Sequence, residues 1–212
     1  MIKGNLIIIS SPSGGGKGTL IREILQTVPD IGYSISYTTR AIRPGEKHKR
    51  DYYFISREEF NEHAERGELL EFAEVHGNFY GTHRAVVENM IDEGRDVILE
   101  IDVQGADLVM MKMPEAVSIF ILPPNYEVLR ERLIGRATET EDDLALRLSN
   151  SVREIGYFEK FRYVVVNDEI AAATERLRSV ILGERQRRTR QMDAVKDILD
   201  SFDVSKTKVS GE

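Results

Sequence analysis

The chain has 212 residues, 41% hydrophobic and 31% charged, enough for one substantial core with small inserted lobes. A formal net charge of −7 argues against the extended basic face that broad nucleic-acid binding needs. No apolar run approaches the ~18 residues of a membrane span. The absence of cysteine excludes disulfides and thiolate metal sites.

The N-terminus, MIKGNLIIISSPSGGGKG, has a short apolar run but lacks the length and cleavage pattern of a signal peptide, so a cytoplasmic protein is expected. Leu6 to Ser10 (LIIIS) reads as a buried strand. Thr19 to Val28 follows with Leu20, Ile24 and Val28 on one helix face. Asp96 to Asp102, Val117 to Leu122 and Tyr163 to Val166 are further buried strands, with helices near 84–93, 126–135 and 171–199 among them. Such alternation predicts an α/β fold with a parallel sheet.

Two segments break the alternation. Residues 34–83 hold short strands and one small helix, capped by Ser56 with Glu59 and stopped at Gly67. Residues 126–157 read as helical, with a restart where Thr140 and Asp143 could cap. Both are read as insertions into one core made of 1–33, 84–125 and 158–200. Residues 201–212 form a frayed tail. No histidine pair has HExxH or similar metal spacing among His48, His63, His76 and His83.

SSPSGGGKGT at 10–19 lies between the first strand and the first helix, where a phosphate-binding loop belongs. Glycines let backbone N–H groups wrap a polyphosphate, and the helix N-terminus adds its positive dipole end. Lys17 would reach the β- and γ-phosphates. The pattern G-x-x-x-x-G-K-[ST] is missed at Ser11 and Gly18. A magnesium ion would therefore rest more on phosphates and water than on a hydroxyl after the lysine.

SYTTRAIRPGEKHKRDYYF at 36–54 gathers Arg40, Arg43, Lys47, Lys49 and Arg50 against Glu46 and Asp51, a local +3 in an acidic chain. A second phosphate site would explain Arg40 and Arg43, since arginine grips phosphate oxygens bidentately, the alternative at this point being solvated loop charges. Lys47, Lys49 and Arg50 read as solvated loop charges that add a general attractive field. The run ERQRRTR at 184–190 reads as the solvated face of a last helix.

SPSGGGKGT, SYTTRAIRPGE, DYYF, EFAEVHGNFYGTHR and LEIDVQGA, in this order, resemble the motifs of the guanylate kinases, and the likeness runs through VVVND at 164–168. The resemblance implies a P-loop NTPase-type parallel sheet flanked by helices, with a mixed α+β GMP-binding insertion and a mobile helical lid. It also implies the reaction ATP + GMP giving ADP + GDP, with dGMP as a second acceptor and Mg²⁺ as cofactor.

Carried over by motif position, Ser13, Gly14, Gly15, Gly16, Lys17, Gly18 and Thr19 would hold ATP. Ser36, Arg40, Arg43, Tyr52 and Tyr80 would hold the GMP phosphate. Glu71 and Thr82 would face guanine, with Glu100 near the nucleoside. Guanine presents two donors beside one acceptor, which a carboxylate and a hydroxyl can match. Adenine would leave such groups mispaired at about 1–3 kcal/mol each. Glu100 and Asp102, two apart, would share one face of a strand, with Asp102 near the magnesium, directly or through water. Arg132, Arg136 and Arg147 match the lid arginines, and with Lys17 and Arg43 would neutralise charge on the transferring group. Asn167 and Asp168 match positions that contact adenine or its ribose, or they form a strand-end turn. No general base is required.

Two rivals remain at this level. One is a non-catalytic guanylate-kinase-like module, against which the intact glycine loop, Lys17 and lid arginines argue. The other is a kinase of another acceptor such as a ribose bisphosphate, which would not need Glu71 with Thr82. ATP and GMP are the expected partners, without nucleic acid or membrane. A homo-oligomer through the last helix stays open.

Overall fold

The computed structural model describes residues 3–75, 77–135 and 141–202. Its elements run β1 (Leu6–Ser10), α1 (Lys17–Thr27), β2 (Ile31–Tyr33), β3 (Tyr37–Thr38), β4 (Tyr53–Phe54), α2 (Arg57–Glu65), β5 (Leu69–Val75), β6 (Asn78–His83) and α3 (Arg84–Asp92). They continue as β7 (Asp96–Glu100), α4 (Val103–Lys112), β8 (Val117–Leu122), α5 (Tyr126–Ile134), α6 (Glu141–Ile155), β9 (Tyr163–Val166), α7 (Ile170–Arg185) and α8 (Met192–Ser201).

Five strands form one all-parallel sheet in the order β2-β7-β1-β8-β9. Helices cover both faces, which is why its central strands read as unbroken apolar runs. Alternate residues of β1 point to opposite sides. Ile7 and Ile9 pack with Leu20 and Ile24 of α1 and Leu177 and Ile181 of α7. Leu6 and Ile8 pack with Val87 of α3, Val109 of α4 and Leu70 of β5.

The remaining strands form a second sheet, β4-β3-β6-β5, built from residues 37–83. Its one helix, α2, carries the capping box read from the sequence: Ser56 accepts from the Glu59 N–H, and the Glu59 carboxylate accepts from the Ser56 N–H. Phe60 of α2 is 1% exposed and stacks on Phe79 of β6, centroids 5.3 Å apart. Lys112 at the end of α4 donates to the Leu70 carbonyl at 2.6 Å and ties this sheet to the parallel one.

Three features differ from the sequence reading. The strand from Asp96 stops at Glu100, and Asp102 is the N-cap of α4, accepting from the Gly105 N–H at 2.8 Å. Glu100 and Asp102 therefore do not share a strand face. β2 and α4 went unread, one for its shortness, the other because Asp102 was assigned to the strand before it. The helix expected over 171–199 is broken: α7 ends at Arg185, a 3₁₀ turn spans Arg188–Arg190, and α8 restarts at Met192.

The basic run at this break is not wholly a solvated face. Arg185 donates to Asp96 at 2.7 Å and to the Pro29 carbonyl at 2.7 Å. Arg187 pairs with the buried Glu184 at 3.3 Å, and Arg190 bonds the Lys3 carbonyl. Thr140, read as a cap, lies outside the described residues. Among the described residues no helix is long and apolar enough to cross a membrane.

Asp96 starts β7 with a side chain 4% exposed, accepting from the Asn5 N–H at 2.6 Å and from Asn5 Nδ2 at 3.0 Å as well as from Arg185. Removing one partner strands the others in a site they cannot rehydrate. Asp96→Ala is expected to lower stability by about 3 kcal/mol in urea unfolding. A loss below about 1 kcal/mol would mean that Arg185 and Asn5 find water instead.

Candidate active site

The loop between β1 and α1 takes its shape from glycine. Gly14 and Gly16 have φ of 82° and 85°, the left-handed region that other residues avoid. A Cβ on Gly16 would also lie 2.3 Å from Asn167 Nδ2. No side chain caps α1, and no acid lies in its first turn. The first N–H groups and the helix dipole thus face the loop cavity, which suits an anion.

Distant side chains hold this loop. Asn167, 3% exposed at the end of β9, donates to the Gly15 carbonyl at 2.9 Å. Arg132 of α5 donates to the Asn167 carbonyl at 3.0 Å and to that of Gly15 at 3.4 Å. Arg147 of α6 donates to Ser13 Oγ at 3.1 Å. Ser151 Oγ donates to the Ser13 carbonyl at 3.2 Å, and the Ser13 N–H donates to Glu154 at 3.0 Å. Asn167, Arg132 and Arg147, singled out in the sequence, thus converge on the loop. Ser151 and Glu154 carried no signal there. Arg136 lies outside the described residues. Asp168 is exposed and binds Arg176 through both oxygens, at 2.7 and 3.2 Å. That pairing pulls its pKa down to about 2 and fits the turn reading.

The opposite end of the cleft is acidic and aromatic. Lys17, Ser36, Tyr52, Glu71, Tyr80, Glu100 and Asp102 line one pocket. Lys17 Nζ lies 3.8 Å from Glu100 Oε1, and Tyr33, absent from the sequence reading, donates to Glu100 Oε2 at 3.2 Å. Burial, then the Glu100 charge, raises the Tyr33 phenol well above its ordinary pKa. Burial also raises that of Tyr52.

Glu71 reaches the pocket through a β-bulge. The β5–β6 register pairs Leu69 with His83 but Glu71 with Thr82. The extra residue turns Glu71 across from Thr82, and Thr82 Oγ1 donates to Glu71 Oε1 at 2.6 Å. Both are buried, at 4% and 1% exposed. Gly105 leaves room behind the carboxylate, since a Cβ there would stand 2.9 Å from Glu71 Oε2. Burial is the main cause that pushes the Glu71 pKa up to about 7.

Arg40 is held ready rather than solvated. Its Nη2 binds both oxygens of Glu46 at 2.8 and 3.0 Å, and its guanidinium sits 5.4 Å over the Tyr52 ring. Arg43 is exposed, and its backbone N–H also donates to Glu46, at 2.9 Å. Glu46 therefore organises this loop, a role its place among the cations did not disclose.

A lysine-bearing glycine loop at the carboxyl ends of parallel strands defines a class, the P-loop nucleotide-binding proteins. A family model described as guanylate kinase matches residues 3–184. A guanylate kinase of Thermotoga maritima is 45% identical over 194 residues, covering 92% of this chain and 94% of that one. One of Desulfitobacterium hafniense is 48% identical over 184 residues, 87% of this chain and 92% of the other. A crystal structure of guanylate kinase from Anaplasma phagocytophilum superposes with a TM-score of 0.79 at 37% identity, covering 95% and 96% of the two chains. The chain belongs to the guanylate kinase family.

The raised Glu71 pKa makes stability depend on pH. Folding favours the neutral carboxyl, so this stabilisation is complete below the ordinary value of 4.5 and is lost as pH rises through about 7. The loss amounts to about 3 kcal/mol. Urea unfolding without nucleotide is expected to show Glu71→Gln gaining on the parent by that amount between pH 4.5 and 8. A constant difference across this range would contradict the burial of an acid at this position.

Proposed function

We propose that the cleft transfers the γ-phosphoryl group of ATP to GMP, giving ADP and GDP. The observation that carries this reading is the placement of Glu71, backed by Thr82, in the same pocket as Lys17. One end reads a base edge, and the other meets a polyphosphate. Family membership supports the same pair of substrates, which draws on the nucleotide pools of the cytoplasm.

Guanine N1–H and its 2-amino group would both donate to the Glu71 carboxylate, which must then be ionised. Thr82 has one hydroxyl proton, already donated to Glu71 Oε1. It either gives up that bond to reach guanine O6 or accepts from the 2-amino group with a lone pair. Arg40, Arg43, Tyr52, Tyr80 and Ser36 would hold the acceptor phosphate. Because Glu46 and the Tyr52 ring already orient the Arg40 guanidinium, little rotamer freedom is left to lose on binding.

Loop amides, Lys17, Arg132 and Arg147 would neutralise the charge on the phosphoryl group, joined by Arg136 from the motif likeness. Phosphoryl transfer needs positioning and electrostatic stabilisation above all. The acceptor phosphate is already anionic near neutral pH, so no side chain needs to remove a proton.

Glu100 and Asp102 offer hard oxygen donors in the pocket that holds Lys17, a chemistry that fits Mg²⁺. Thr19, one place beyond the usual hydroxyl, lies near Arg22 at 3.3 Å. The ion would be held by nucleotide phosphates, with these two carboxylates through water, and would supply charge neutralisation.

ADP release from ATP and Mg²⁺ is the test, with GMP, AMP, CMP and UMP offered separately. Turnover is expected with GMP alone. Glu71→Gln is expected to lower kcat/KM for GMP by about 100-fold, the cost of mispairing two buried donors. Turnover with none of the four from folded, ATP-binding protein would reject the reading.

A further inference from the structure

The four histidines have no metal-binding spacing, yet the fold brings two of them together. His63 lies in the last turn of α2, His83 ends β6, and Glu68 lies between α2 and β5. One ligand atom from each of the three lies within 4.8 Å of the others. The backbone sets this convergence independently of the side chains. The Glu68 N–H donates to the His63 carbonyl at 3.0 Å, and the Arg84 N–H donates to the Glu68 carbonyl at 2.8 Å.

Aromatic packing limits where the rings can turn. Tyr37 meets the edge of His63 at 5.2 Å and lies 5.7 Å from His83, and the two imidazoles are 5.8 Å apart. His63 Nδ1 and Glu68 Oε2 share a 2.5 Å hydrogen bond. Nδ1 of His83 is buried without a hydrogen-bond partner among the described residues. The His63 and Glu68 side chains remain 27% and 36% exposed, so solvent has a way in.

We propose that His63, Glu68 and His83 form a site for a borderline divalent transition metal of the zinc class. Two imidazoles and one carboxylate are a donor set for such ions, with a fourth position left to water. Bonds of about 2.0–2.1 Å place tetrahedral ligand atoms about 3.3 Å apart. Reaching that spacing needs side-chain rotation at all three residues: the 2.5 Å bond between His63 and Glu68 must open, and the ligand atoms, within 4.8 Å of one another, must draw together. Mg²⁺ demands an octahedron of oxygens and does not fit, so this site is separate from the nucleotide's metal. A bound ion would fasten the end of α2 to β6 one residue beyond Thr82, and so stiffen the strand that carries it.

The test is titration of the chelator-treated full chain with Co²⁺ and with Zn²⁺, without nucleotide. One equivalent of Co²⁺ is expected to give the visible absorption of a four-coordinate ion, displaced by Zn²⁺ and not by excess Mg²⁺. Zn²⁺ should raise the unfolding midpoint. His63→Gln and His83→Gln should each weaken binding by about 100-fold and abolish the rise, since even outer-shell changes cost 10–100-fold. The His63 side chain is partly exposed at a helix end, and glutamine can still donate to Glu68, so its variant should keep the parent unfolding midpoint without metal. His48→Gln should bind like the parent. No saturable binding, or binding as tight as the parent's by either the His63 or the His83 variant, would overturn the site.

Discussion

The turn from β1 into α1 has few side chains of its own to hold it. Three successive glycines leave its amides open to an anion and leave its path unconstrained. Its conformation therefore depends on polar side chains 117 to 152 residues away: Arg132, Ser151, Glu154 and Asn167. Each bonds a loop backbone group rather than a loop side chain. The parallel sheet makes this work, because β9 lies beside β8 and β8 beside β1, which brings Asn167 level with the loop. The phosphate end of the cleft is thus assembled only when the whole sheet is.

At the other end a different constraint governs. A carboxylate surrounded by protein is costly to ionise, and Glu71 leans on Thr82 for its hydrogen bonding, with no paired cation within bonding distance among the described residues. Its neutral form suits the site without ligand; its ionised form suits a partner with two donors. If Glu71 reads guanine as proposed, ligand binding and deprotonation are linked, and the energy that desolvation withholds would be recovered only by a base with the right edge. A bulge in β5 and the absence of a Cβ at Gly105 provide the geometry. Burial, more than charge, is what would make this position discriminating.

What could be read in advance follows from how local each cause is. β1 and β8 announce themselves because strands covered on both faces must be apolar throughout. The glycine loop and the Ser56–Glu59 cap are local patterns with local physics. Asp102 misleads for the same reason: an acid after an apolar run suits a strand end as well as a helix cap, and the choice rests on the Gly105 N–H three residues on. The break after Arg185 has neither glycine nor proline to mark it. It arises where Arg185 turns back to Asp96, a contact 89 residues distant. Tyr33, Glu46 and Glu154 belong to this second kind. Their roles exist only in the folded chain, and no spacing announces them.

Three carboxylates, Glu71, Glu100 and Asp102, line the pocket that also holds Lys17. Such a pocket repels a bare polyanion, which at first opposes binding two phosphorylated substrates. The opposition is resolved by position. Glu100 is already compensated by the Tyr33 hydroxyl and by Lys17 3.8 Å away, and Asp102 by the Gly105 N–H. The cations proposed to grip phosphate, Arg40, Arg132 and Arg147, are each anchored outside the carboxylate cluster, to Glu46, Asn167 and Ser13. In the proposed complex, negative charge in the cleft would therefore face the donors of a base and a hydrated cation, while positive charge would be kept for the phosphates at its two ends. An acidic chain could in this way bind two anions: its basic groups are few at the site, but Arg40, Arg132 and Arg147 are held in place before a ligand arrives.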